Sequence, residues 1–90
     1  MKRQFKYQVC QVQAGHVTYV NAHWQGNQAL AGVSLEELIN TCPVLWEYLN
    51  AVGRDGWDLV NVVPLPAASQ EPALPITQYI LKREETISAR

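Results

Sequence analysis

Between Tyr7 and Leu35 the chain carries no Asp, Glu, Lys or Arg. Its polar positions there are filled by Gln, Asn, Thr, His and a single Ser. A solvated hairpin ordinarily carries some charge, which also blocks edge-to-edge pairing. A stretch that lacks charge but keeps aromatics, here Tyr7, Tyr19 and Trp24, has the composition of an interface core. Cysteine is equally scarce: Cys10 and Cys42 stand far apart and in no paired motif. That argues against a disulfide-dense secreted scaffold, and both read as small buried hydrophobes, with a disulfide between them left open. No apolar run approaches the ~20 residues that cross a bilayer. The basic opening Met1-Lys2-Arg3 is not followed by a signal-peptide core, because Gln8, Gln11 and Gln13 interrupt it. A cytoplasmic protein is expected. The net charge of −1 supplies no global field for nucleic acid or anionic lipid.

What remains is one domain of 90 residues, 48 % hydrophobic and so too apolar for disorder. Phe5, Tyr7 and Val9 alternate with Lys6, Gln8 and Cys10, the period of a half-buried strand. The phase shifts at Val12, which calls for a bulge or for cover on both faces. Ala14-Gly15 is a turn, and Val17 to Val20 is rich in strand formers, so residues 4–23 read as a hairpin. Trp24 to Gly32 reads as a loop.

The helical start is the clearest local signal. Ser34 and Glu37 have the spacing of a capping box, with Val33 and Leu38 as a hydrophobic staple. Leu35, Leu38, Ile39, Cys42, Leu45, Trp46, Leu49 and Val52 continue an apolar stripe. Pro43 breaks it, giving a short helix over 35–40 and a second from Pro43 to about Val52, with Thr41 or Cys42 as its cap. Gly53 fits the position just after that helix. Asp55-Gly56 is turn chemistry, and Trp57 to Val63 is an apolar strand buried on at least one face. Residues 66–75 form a Pro-rich loop, Ile76 to Arg83 alternates as a last strand, and the tail from Glu84 is frayed. The fold class expected is a two-layer α+β domain spanning residues 1–90. It has a four-stranded antiparallel sheet in the order β-β-α-α-β-β, with one Pro-broken helical segment on one face.

The stretch from Leu49 to Val60, with Gly53, Gly56 and Trp57-Asp58-Leu59-Val60, resembles a family of short bacterial proteins known only as a domain of unknown function. Members open on a strand similar to Phe5–Val9, carry a helix ending in leucine, then a glycine and a Gly-Trp-acidic-Leu-Val strand. They close on a strand like Tyr79–Arg83. The similarity covers residues 4–12, 44–63 and 77–84. It implies a β-α-β-β core with added material and transfers no catalytic residue. The physical role of the motif is to let glycines reverse the chain while Trp57, fully buried, anchors the helix-to-strand joint.

No chemistry assembles from the rest. Gly53-Arg54-Asp55-Gly56 has the Gly-x-x-Gly spacing of a nucleic-acid clamp, but a strand follows it and only Arg54 is basic. His16 and His23 have no Cys or acidic residue at ligand spacing, so no metal is expected. Ser34 is used by the cap, Ser69 and Ser88 lie in loop and tail, and Asp55 and Asp58 flank a turn; no nucleophile, base and orienter coincide. No cofactor is expected. Catalysis is the weaker reading. The preferred one is a small non-enzymatic interaction or assembly module. It would self-associate or dock a protein through the uncharged hairpin, with Tyr7, Gln11, Tyr19, His23 and Trp24 as the contact. The alternative is a small-ligand sensor or accessory enzyme subunit, with its pocket between the sheet and loop 66–75 or at a subunit boundary. A nucleic-acid role for Lys2, Arg3, Lys6, Lys82 and Arg83 is weakest, because Glu84 and Glu85 dilute them.

Overall fold

The computed structural model describes residues 3–27, 34–65 and 75–85. In them β1 (Gln4–Gln13), β2 (His16–Val20), β3 (His23–Trp24), α1 (Leu35–Ile39), α2 (Leu45–Arg54), β4 (Asp58–Pro64) and β5 (Thr77–Glu85) follow in chain order. The strands form one five-stranded antiparallel sheet, ordered β3-β2-β1-β5-β4. This overturns the expected α+β domain with four strands under a helical layer. The molecule is mostly sheet, and α1 is a single five-residue turn. The fifth strand was illegible because His23–Trp24 is two residues long, too short to show a period.

Two tight turns set up the meander. Ala14 and Gly15 take positive φ of 51° and 77°, and Asn21 and Ala22 take 49° and 71°. Paired left-handed residues of this kind match the twist of a two-residue hairpin. The β1–β2 register slips at Gln11/Val12, the bulge allowed for by the phase shift. Thr18 Oγ1 there lies 3.1 Å from both Gln11 O and Gln13 Oε1.

Residues directly opposite one another in an antiparallel pair share a face. Gln8, Cys10 and Val12 therefore face the same way as Leu81, Tyr79 and Thr77. Cys10, Val12, Val17 and Leu81 form the core cluster, and Leu45, Tyr48, Leu49 and Val52 of α2 pack on it. The apolar phase Phe5-Tyr7-Val9 is thus not the one the helix covers. Gln8 is tolerated inside because the Tyr48 hydroxyl and the Cys10 thiol, at 3.3 Å, both donate to its Oε1.

The helical segment differs from expectation at several points. Ser34 does cap α1, its Oγ accepting from the Glu37 amide at 3.3 Å; Val33, the other half of the staple, lies outside the described residues. Pro43 is not in the first turn of α2, which starts at Leu45 after Val44. Instead the 43–45 backbone lies along β2: Val17 N donates to Pro43 O at 2.8 Å and Leu45 N to Gly15 O at 2.9 Å. Thr41 is no cap for α2, since its hydroxyl bonds back to Leu38 O at 2.6 Å. Trp46 leaves the stripe and is exposed, and Tyr48 takes its place. Gly53 lies inside α2, and the positive φ of the exit, +94°, falls on Gly56. Trp57 is only part-buried, packed on the core with the Arg83 guanidinium 4.9 Å over its ring.

The last two strands also depart from the sequence reading. β4 is an outer strand, and Leu59, Val60 and Val62 are exposed rather than buried, because the sheet ends there. β5 runs through Glu84 and Glu85 instead of fraying. Gln4 and Phe5 pair with them, and Arg3 and Lys6 form ion pairs with them at 3.0 and 3.6 Å.

Candidate interaction surface

The face of the sheet opposite the core is built by register. Trp24 lies opposite Tyr19, Tyr19 opposite Gln11, Gln11 opposite Gln78, and Gln78 opposite Val63. One row of five uncharged side chains therefore crosses all five strands. Beside it runs a second row, Val9, Ile80 and Asn61. Charge enters only with the third row, Tyr7, Lys82 and Asp58. Tyr7 is 59 % exposed, and Gln11, Tyr19 and Trp24 are half-buried.

Of the contact residues expected from sequence, Tyr7, Gln11, Tyr19 and Trp24 thus meet on one face. His23 pairs with Val20, itself opposite Cys10, and falls on the other face. Gln78, Ile80 and Val63 belong to the surface and were missed. Their own alternation was visible, but only the strand order places them beside β1.

The aromatic end of the row is held in place. The Tyr19 and Trp24 rings lie 5.4 Å apart at 60°, a tilted pair. A Cβ on Gly26 would collide with the Trp24 ring and sit 2.7 Å from Thr41 Oγ1. Asn27 N also donates to that Thr41 oxygen at 3.2 Å. Glycine at 26 is therefore a packing requirement of Trp24, which this contact ties to the end of α1.

The remaining chemistry is quiet. Cys10 and Cys42 are free and buried, and burial pushes both thiols up, away from the reactive thiolate. Burial, with the neighbouring Cys10, also pushes the Tyr48 phenol above its ordinary range. His16 Nδ1 sits 2.9 Å from Cys42 O. Among the described residues no three His, Cys, Asp or Glu side chains gather as metal ligands, and no helix is long and apolar enough to cross a membrane.

A shallow hollow of about 510 Å³ is lined by Asp55, Gly56, Arg83, Glu84 and Glu85. Three of its charges are already engaged: Arg83 with Trp57 and with Asp55 O at 3.4 Å, Glu84 with Arg3, and Glu85 with Lys6. Most of loop 66–75, expected to close a ligand pocket, lies outside the described residues. Compared with protein-family models, with curated proteins and with solved structures, the chain matches none.

Proposed function

We propose that this protein is a non-enzymatic interaction module whose contact surface is the open face of its sheet. The observation behind this reading is the uncharged row Trp24–Tyr19–Gln11–Gln78–Val63, flanked by Val9, Ile80 and Tyr7. A flat patch of aromatic, aliphatic and amide side chains desolvates cheaply, because it carries no ion whose hydration must be lost. Its charged margin at Lys82, Asp58 and Glu84 resembles the polar rim of a protein contact. The surface is flat and strand-built, which suits a protein partner better than a small molecule, whose sites are concave.

The test is a surface variant that leaves the core alone. Gln11→Lys with Tyr19→Lys places two charges in the row. Circular dichroism should be unchanged, and association, read by light scattering over a range of concentrations or by titration with a captured and identified partner, should weaken at least tenfold. Unchanged association in a folded variant would refute the assignment of the face.

A further inference from the structure

We propose that the open face takes a proline-rich segment of another protein, held in the polyproline II conformation and lying across the strands along the row Trp24–Tyr19–Gln11–Gln78–Val63. This rests on the reading of that face as the contact surface and names its occupant. The outline of the uncharged area is the first support. It runs the full width of the sheet, four strand spacings of ~4.8 Å, so Trp24 on β3 and Val63 on β4 stand ~19 Å apart. Along the strands it is narrow. The row beside it, Val9, Ile80 and Asn61, lies ~6.6 Å away, and the next already carries Lys82 and Asp58. A band this long and this narrow has the footprint of one extended chain. A second sheet packed on the face would cover Lys82 and Asp58 as well, at the cost of their hydration.

The repeat is the second support. Polyproline II rises ~3.1 Å per residue with about three residues per turn, so one of its edges returns every ~9.3 Å. Two strand spacings are ~9.6 Å. Ligand residues i, i+3 and i+6 therefore fall on Trp24, Gln11 and Val63, with a mismatch of ~0.6 Å over the whole row. An α-helix laid on the same line repeats every ~5.4 Å and drifts ~2.4 Å over four spacings. A strand presents side chains to one face every ~6.6 Å, which matches neither one spacing nor two.

The chemistry agrees with the spacing. A polyproline II chain makes no hydrogen bonds of its own, and proline has no N–H, so such a ligand offers carbonyl acceptors and apolar rings. The row presents the counterparts. Gln11 and Gln78 carry amide donors and Tyr19 a hydroxyl. Trp24 and Tyr19, with rings 5.4 Å apart, give aromatic surface for a proline ring. The row holds no charge that an uncharged ligand would leave buried and unpaired. Stiff proline-rich segments dock on aromatic-lined surfaces in this way because little ordering is left to do on binding.

The experiment titrates the full chain with a proline decamer and, separately, with a Gly-Ser decamer, following backbone amide shifts by NMR. The proline peptide should move the amides around Tyr19, Trp24, Gln11, Gln78 and Val63. The Gly-Ser peptide should bind at least tenfold more weakly. Gln11→Ala with Gln78→Ala should weaken the proline peptide at least fivefold with unchanged circular dichroism, and Val63→Lys, at the far end of the row, should do the same. No binding at millimolar peptide, equal binding of the two peptides, shifts away from the row, or affinity that survives these changes in a folded protein would each overturn the proposal. If the glutamine pair fails to fold, Val63→Lys decides. Self-association seen by light scattering and abolished by Gln11→Lys with Tyr19→Lys would assign the face to a second copy and overturn it too. A protein that ignores the proline decamer, yet loses its captured partner in the Gln11→Lys/Tyr19→Lys variant, keeps the open face as contact surface and loses only this occupant.

Discussion

Two glycines three positions apart in the same motif do different work. Gly53 lies within α2, and a methyl group there meets nothing within 4 Å. Gly53→Ala should therefore stabilise the protein by about 0.5–1 kcal/mol, read as a rise in the denaturation midpoint. Gly56 sits at φ +94°, where a side chain is strained whatever the space. Gly56→Ala should cost about 1–2 kcal/mol. From sequence alone both were turn glycines, because the pattern Gly-x-x-Gly does not say where the helix stops. The Gln8–Tyr48–Cys10 group was also illegible, since Gln8 and Tyr48, 40 positions apart, meet only once α2 packs on the sheet. It has a consequence for pH. The folded state holds the Tyr48 phenol and the Cys10 thiol protonated above their ordinary values. The stability this reflects is complete at neutral pH, where the unfolded chain is protonated too. It falls as pH rises past the unfolded thiol and phenol, from about 8.5 and 10 upward. Tyr48→Phe should flatten the upper part of that decline in denaturation midpoints measured between pH 8 and about 11.

At the scale of elements, periodicity carried the hairpin, the Ser34 cap and the last strand. It missed where each element sits. The alternation in β1 has two apolar phases, Phe5-Tyr7-Val9 and Cys10-Val12, and only the arrival of α2 decides which is buried. For β4 the run Leu59-Val60-Asn61-Val62-Val63 looks like an interior strand, because hydrophobic composition records that a surface is covered, not by what. The joint from α2 into β4 is the element-level anchor. Trp57 packs part-buried on the core beneath Arg83, so Trp57→Ala should cost about 2 kcal/mol, below the ~3–5 of a fully enclosed ring. Chemical denaturation of the variant measures it.

For the whole molecule, the candidate surface was legible as an absence of charge but not as a shape. Composition points to Tyr7, Gln11, Tyr19, His23 and Trp24; the register sets four of these on one face and His23 on the other. Cys10 and Cys42, 1 % and 4 % exposed, report on the integrity of the whole. Neither should react with a thiol reagent in the native protein, and labelling of both should track global unfolding in denaturant. Early labelling of one would show that its region opens separately.

The pair of strands at the centre of the sheet, β1 and β5, comes from the two ends of the described chain, and the Arg3–Glu84 bond joins residues 81 apart. β1, β2 and β3 can form their meander from neighbouring residues, in the microseconds typical of hairpins. The contact that completes the core, Leu81 against Cys10 and Val12, must wait for the longest loop in the molecule to close, so long-range pairing of β5 should limit the folding rate. On the ribosome this order is strict: the meander, uncharged from Tyr7 onward, emerges before β5 and stands with one side of β1 unpaired until β5 has been made. The side of β1 that β5 covers in the finished sheet is, during synthesis, exposed. The interval before β5 arrives is when this chain is most open to pairing with the wrong strand.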